Sequence, residues 1–288
     1  MKKIASILVA SALAFTSAIA FTGCGSDTSS KAAEITIAIP NDTTNEARAL
    51  LLLEDLGYIK LRDGAGITAT PKDVEENNFN IKFSEVEAAQ VPNVRQDVDY
   101  AIINSNYAIE AGLNPVKDSL GIEGSASAYG NILAVKEGNE NEPKILALKA
   151  ALESQQVVDF INEKYDGSVV SVVENPTDGY DSSIDYDALK GEKITIAASP
   201  TPHAEILAIV KDILAEKEIT LDIKEYTDYV QPNNVVDSGE LDANYFQHLP
   251  YLEDFNAENG TKVASIAVIH VEPLGLYGGK QTNLDALK

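Results

Sequence analysis

Arg48 sits in the string Asn45-Glu46-Ala47-Arg48, which reads as the opening turns of a helix. A cation there opposes the helix dipole, so a compensating anion is expected nearby. That anion is either one of the chain's own acids or a carboxylate on a bound solute gripped by the planar guanidinium, and composition leaves both open. Farther along, Asp228-Tyr229-Val230-Gln231-Pro232-Asn233 and Asp242-Ala243-Asn244-Tyr245-Phe246-Gln247-His248-Leu249-Pro250-Tyr251 crowd rings and amides into loop-like sequence, although aromatics are only 7% of the chain. An ordinary core cluster is one outcome. The other is a small pocket in which Tyr229, Phe246, His248 and Tyr251 cage an apolar side chain while polar atoms fix a head group. His203, His248 and His270 stand at no helical ligand spacing, so no metal ligand set is expected, although one can still assemble in space. Gly64-Ala65-Gly66 lacks the third glycine and the preceding strand of a dinucleotide motif. Gly278-Gly279-Lys280 lacks the remainder of a phosphate loop, and no nucleophile elbow occurs. Catalysis and a resident cofactor are not expected.

These residues need a scaffold of about two domains, since 288 residues at about 150 per domain allow two cores. Lys and Arg total 22 against 45 Asp and Glu, a net charge of -23, which disfavours nucleic acid as a partner. Hydrophobic residues at 44% and charged residues at 23% argue against wholesale disorder and a polytopic membrane fold. Residues 1–23 read as a bacterial export signal: Lys2 and Lys3, an apolar run over 4–19, then small residues. Phe21-Thr22-Gly23-Cys24 resembles a lipobox, departing from it at Phe21, so Cys24 is expected to be the lipidated first residue of the mature chain, tethered to a membrane through residues 24–33. Plain secretion with a chance cysteine is the alternative.

The body opens on Ile35-Thr36-Ile37-Ala38, a strand followed by N-cap candidates at 41–45 and a helix over 46–56. The same tetrapeptide recurs at Ile194-Thr195-Ile196-Ala197; Ile35 and Ile194, like Glu46 and Glu205, stand 159 positions apart. Two lobes with one opening topology are the reading, with chance similarity of short apolar strands as its rival. Further strands are expected at 80–83, 98–103, 132–135, 169–173, 221–226, 241–245 and 263–271, and helices at 144–164 and 205–217. Their alternation implies a mostly parallel sheet in each lobe, and residues 174–193, dense in Asp, Ser, Gly and Pro, read as the internal linker. Open sheets of this kind bind ligands beyond the carboxyl ends of their strands.

Nine strings resemble the NlpA/MetQ family of methionine-binding lipoproteins of ABC importers. Among them are Ile-Pro-Asn-Asp-Thr-Thr-Asn-Glu-Ala-Arg-Ala-Leu, Ile-Asn-Ser-Asn-Tyr-Ala, Pro-His-Ala-Glu-Ile-Leu, Leu-Asp-Ala-Asn-Tyr-Phe-Gln-His and His-Val-Glu-Pro-Leu-Gly-Leu-Tyr. Their order departs from the family's, in which the unit near Ile194 comes first, so the chain resembles a circular permutant joined through residues 174–193. The resemblance implies a two-lobed, periplasmic-binding-protein-like α/β fold with a ligand cleft. Lobe one would span 34–128, lobe two 137–269, with crossing segments at 129–136 and 270–288. It also implies that Arg48 clamps a ligand carboxylate, that Asn104 and Asn131 bond the amino-acid head group, and that Tyr229, Phe246, His248 and Tyr251 wall in a thioether. The implied partners are methionine, an ABC permease and the outer face of the cytoplasmic membrane. A receptor for a metal ion or short peptide on the same scaffold is the alternative, followed by a hydrolase.

Overall fold

The computed structural model describes residues 34–124 and 129–288; the leader, Cys24 and the tether lie outside the described residues. Thirteen strands appear among the described residues. In chain order they are β1 Ile35–Pro40, β2 Lys60–Leu61, β3 Val74–Glu76, β4 Ile81–Val86, β5 Tyr100–Ile103, β6 Ser119–Ile122 and β7 Gly130–Lys136. They continue with β8 Val170–Ser171, β9 Lys193–Ala198, β10 Thr220–Glu225, β11 Ala243–His248, β12 Val263–Val271 and β13 Gly275–Gly278. Sheet one has the order β4-β1-β5-β13-β6 and sheet two the order β10-β9-β11-β7-β12-β8, with β2 and β3 forming a separate pair.

The expectation of mostly parallel sheets is corrected. β4, β1 and β5 run parallel in sheet one, as do β10, β9 and β11 in sheet two, but every remaining pairing in these two sheets is antiparallel. The cause is the path of the chain. Parallel neighbours need a crossover connection such as the α1 helix Thr43–Asp55 between β1 and β4, whereas β7 and β13 arrive from the other sheet and enter against the parallel set. The crossing expected at 129–136 is therefore mostly a strand: β7 is flanked by β11 and β12 inside sheet two. The chain passes between sheets over 123–129, of which 125–128 lie outside the described residues, and returns through Glu272–Leu274 between β12 and β13.

The helix expected over 144–164 is two, Pro143–Leu152 and Gln155–Tyr165. Ser154 accepts the Val157 N–H at 3.3 Å and starts the second, a cap that the continuous apolar spacing conceals. Residues 174–193 form an ordered strap rather than a loose linker. The Tyr180 hydroxyl donates to the Ile213 carbonyl at 3.1 Å, Lys217 Nζ lies 4.3 Å from the centre of the Tyr180 ring, and Leu189 joins the core of sheet two. One apolar cluster lies around β7, β9 and β11 with their helices, and two others flank β1 and β5. No helix among the described residues is long and apolar enough to cross a membrane.

Candidate functional site

The carboxyl ends of the parallel strands of both sheets converge. β1 ends at Pro40, and Asp42, accepting the Asn45 N–H at 3.0 Å, caps the helix that carries Asn45 and Arg48 inward. β5 ends at Ile103, placing Asn104, Ser105 and Asn106 at the start of a short helix, Ser105–Glu110. In sheet two, β9 ends beside His203, and β11 delivers Phe246, Gln247 and His248. A bulge between Tyr245 and Gln247 re-aims this end of the strand. Asn131, in β7, is registered between His248 on one neighbour and His270 on the other. Gly130 lets the strands approach there, since an added Cβ would lie 2.5 Å from Val268 Cγ1.

Between these ends lies a narrow cavity. Arg48, Asn104, Asn131, Tyr229, Phe246, His248 and Tyr251, the seven residues singled out in the sequence, all line it. The anion expected beside Arg48 is Glu123. Its carboxylate receives Nε at 3.1 Å and also pairs with Nη2, which donates in addition to the Glu272 carbonyl at 2.8 Å. The guanidinium lies 4.4 Å from the centre of the Tyr129 ring. Nη1 meets no acceptor among the described residues.

The amides form a linked set. Asn104 donates to Asn45 Oδ1 at 2.9 Å, and His248 Nε2 lies 3.3 Å from the same oxygen. The Tyr229 hydroxyl donates to Asn106 Oδ1 at 2.6 Å, and the Tyr251 hydroxyl to the Tyr229 carbonyl at 2.9 Å. Two buried side-chain atoms of this set have no partner among the described residues: the acceptor Asn104 Oδ1 and the donor Asn106 Nδ2. The rings of Tyr229, Phe246 and Tyr251 contact one another at 5.8 to 6.1 Å between centres and form the apolar wall.

Behind Asn131 lies a polar cluster that the sequence does not announce. Asn131 Oδ1 accepts from His203 Nε2 at 2.9 Å, Glu272 Oε1 accepts from His270 Nε2 at 2.9 Å, and His270 Nδ1 meets the Tyr245 hydroxyl. Burial pushes both His203 and His270 down to about 3, so both rings are neutral near pH 7. Burial and the nearby Arg48 charge hold His248 well below the usual imidazole range, and burial raises the Glu272 carboxyl. Ligand atoms of His203, His270 and Glu272 lie within 4.8 Å of one another, so histidines scattered in sequence do gather in space, in a set able to hold a metal ion.

Asn45, Ser105, Asn106, Gln247 and Glu272 line the cavity as well and were missed in the sequence. Asn106 carried a signal, lying two residues past Asn104 in Asn-Ser-Asn. Glu272 carried none, because nothing marks one buried acid among 45 Asp and Glu.

Two mixed α/β sheets, joined by crossing segments and presenting their parallel strand ends to one shared cavity, define a two-lobed, periplasmic-binding-protein-like architecture. The chain belongs to the NlpA lipoprotein family, whose family model matches residues 26–173 and 194–288. It is 49% identical over 135 residues to the membrane lipoprotein TpN32 of Treponema pallidum, covering 47% of this chain and 50% of that protein. It is 39% identical over 136 residues to the D-methionine-binding lipoprotein MetQ of Escherichia coli, covering 46% and 50% respectively. A nutrient-binding protein of Burkholderia cenocepacia, solved bound to methionine, is 45% identical, with a TM-score of 0.46 over 47% of this chain and 58% of that one. The chain spans about half the length of the curated relatives it matches.

Proposed function

We propose that the cavity captures one methionine outside the cytoplasmic membrane and that the protein, anchored through lipidated Cys24, presents it to an ABC permease without catalysing a reaction. The observation that carries this reading is the pair of buried amide atoms without a partner among the described residues, Asn104 Oδ1 and Asn106 Nδ2, on residues that line one cavity with Arg48 and the rings of Tyr229, Phe246 and Tyr251. An unsatisfied buried polar group costs about 1 to 3 kcal/mol, and a zwitterion offers both a donor and an acceptor to relieve it. A flexible thioether suits the ring wall, at about 0.3 to 1.5 kcal/mol per sulfur-aromatic contact. The name of the Escherichia coli relative supports the same ligand, and the family supports the anchor. Calorimetry with L- and D-methionine should give saturable one-site binding that Asn106→Ala weakens; a folded wild-type protein giving no heat with either isomer would overturn the reading. Cys24→Ser should move the protein from membranes to the soluble fraction, and retention on membranes would refute the anchor.

We further infer that the chain is a circular permutant of the family's usual order. The family match breaks at residues 174–193, where the old termini would be joined. Each curated alignment covers about half of both chains, which is the reach of one collinear alignment across two exchanged segments.

A further inference from the structure

Glu272 is the acid of the cavity lining, and it forms no direct ion pair with a Lys or Arg among the described residues, although the Arg48 charge lies nearby. Arg48, the cation lining the same cavity, is committed to Glu123, and no Lys or Arg lies within 4.0 Å of the Glu272 carboxylate among the described residues. What meets that carboxylate instead is a pair of imidazoles, His270 Nε2 at 2.9 Å and His203 Nε2 at 3.3 Å. His270 orients it through a hydrogen bond, whereas His203 Nε2 gives its proton to Asn131 Oδ1 and lies against the carboxylate without bonding it.

We propose that Glu272 is the counter-charge for the ligand's positively charged amino group, making it the residue that selects solutes carrying an ammonium beside their carboxylate. This rests on the amino-acid reading above. Three features of the geometry carry it. The Glu272 side chain lines the cavity and is only 6% exposed, so a cation reaching it is desolvated and held strongly. The Glu272 backbone carbonyl accepts Arg48 Nη2 at 2.8 Å, so one residue carries the anionic site and anchors the cationic one, and the two poles of a zwitterion meet opposite charges from neighbouring groups. The unpartnered acceptor Asn104 Oδ1 lines the same cavity and supplies a second oxygen to an ammonium that has three protons to donate. His270 is a positioning residue that fixes the rotamer of the carboxylate from behind.

The test compares L-methionine with 4-(methylsulfanyl)butanoate, which keeps the carboxylate and thioether and lacks the amino group, by calorimetry on the full chain. The wild-type protein should bind methionine at least about thirtyfold more tightly, the low end of what breaking a buried charge pair costs. Glu272→Gln, nearly isosteric and checked for folding by circular dichroism, should weaken methionine binding by a similar factor while leaving the analogue within about threefold, so that the discrimination collapses. Glu272→Asp keeps the charge and should retain most of the preference. Wild-type binding of both ligands with equal affinity overturns the proposal without any variant, as does a folded Glu272→Gln protein that still discriminates. Wild-type binding of neither ligand instead removes the methionine reading, and this inference with it. Stoichiometric, tight binding of Zn²⁺ that competes with methionine would assign the carboxylate to a metal ion and likewise overturn it.

Discussion

Of the two possibilities left open by its position, Arg48 meets the internal acid, and its role toward a solute stays a proposal. Its guanidinium is neutralised by Glu123 from within the protein, yet Nη1 keeps a donor without an acceptor among the described residues. Arg48→Lys preserves a charge beside Glu123 but loses the planar fork, so methionine affinity should fall roughly tenfold or more with the fold retained; unchanged affinity in calorimetry would exclude Arg48 from the ligand's contacts. His203 supports a stability prediction with a defined sign. Its folded-state value is about 3 against 6.5 in the unfolded chain, so below about pH 6.5 the unfolded state takes up a proton that the native state refuses. The stability it contributes is fully present above that pH and is lost on acidification. Buried carboxyls with raised values, Glu272 among them, act in the opposite sense, so the histidine is isolated by comparison. His203→Gln retains a donor for Asn131 Oδ1 and removes the titration. Its thermal midpoint should fall less steeply than the wild type's between pH 6.5 and 5, and parallel slopes would show that His203 is not the titrating group.

At the level of elements, β12 was legible in full because eight of its nine residues are apolar or small, the exception being His270, with turn residues on either side. The helices at 143–165 were legible as helix but not as two. The Ala- and Leu-rich spacing continues across residue 153, and only a capping serine, indistinguishable in sequence from an exposed one, breaks it. Ser154→Ala should therefore cost about 1 kcal/mol of stability, read as a lowered urea midpoint, with methionine affinity unaltered; an unchanged midpoint would mean that packing rather than the cap divides the pair. Strand direction was misjudged for a related reason. The sequence marks where β7 lies but not from which side the chain enters, and β13, inside the segment expected only to cross between lobes, was missed; both are settled by contacts between residues far apart in the chain. The candidate site was legible wherever rare residue types clustered, as in the rings around Phe246. It was illegible where common ones, Glu272 and Asn45, acquire meaning only through burial.

The whole molecule tests the permutation directly. Contacts in a folded protein do not depend on chain order, and reconnecting termini alters stability chiefly through loop closure, about 0.6 kcal/mol for each doubling of loop length. Leu287 packs in the same apolar cluster as Ile35, so Lys288 can be joined to Glu34 by a short link, and Lys190 and Gly191 are exposed and suit new ends. A chain running from 191 to 288 and on through 34 to 190 would keep the Tyr180 contacts to Ile213 and Glu216 as part of a terminal tail. It should give the same far-ultraviolet circular dichroism and bind methionine within about threefold of the original, because no residue lining the cavity lies in the segment 174–193 that carries the new cut. A reordered chain that fails to fold would show that the strap is an essential brace of this body rather than a replaceable join, and the permutation reading would fall with it.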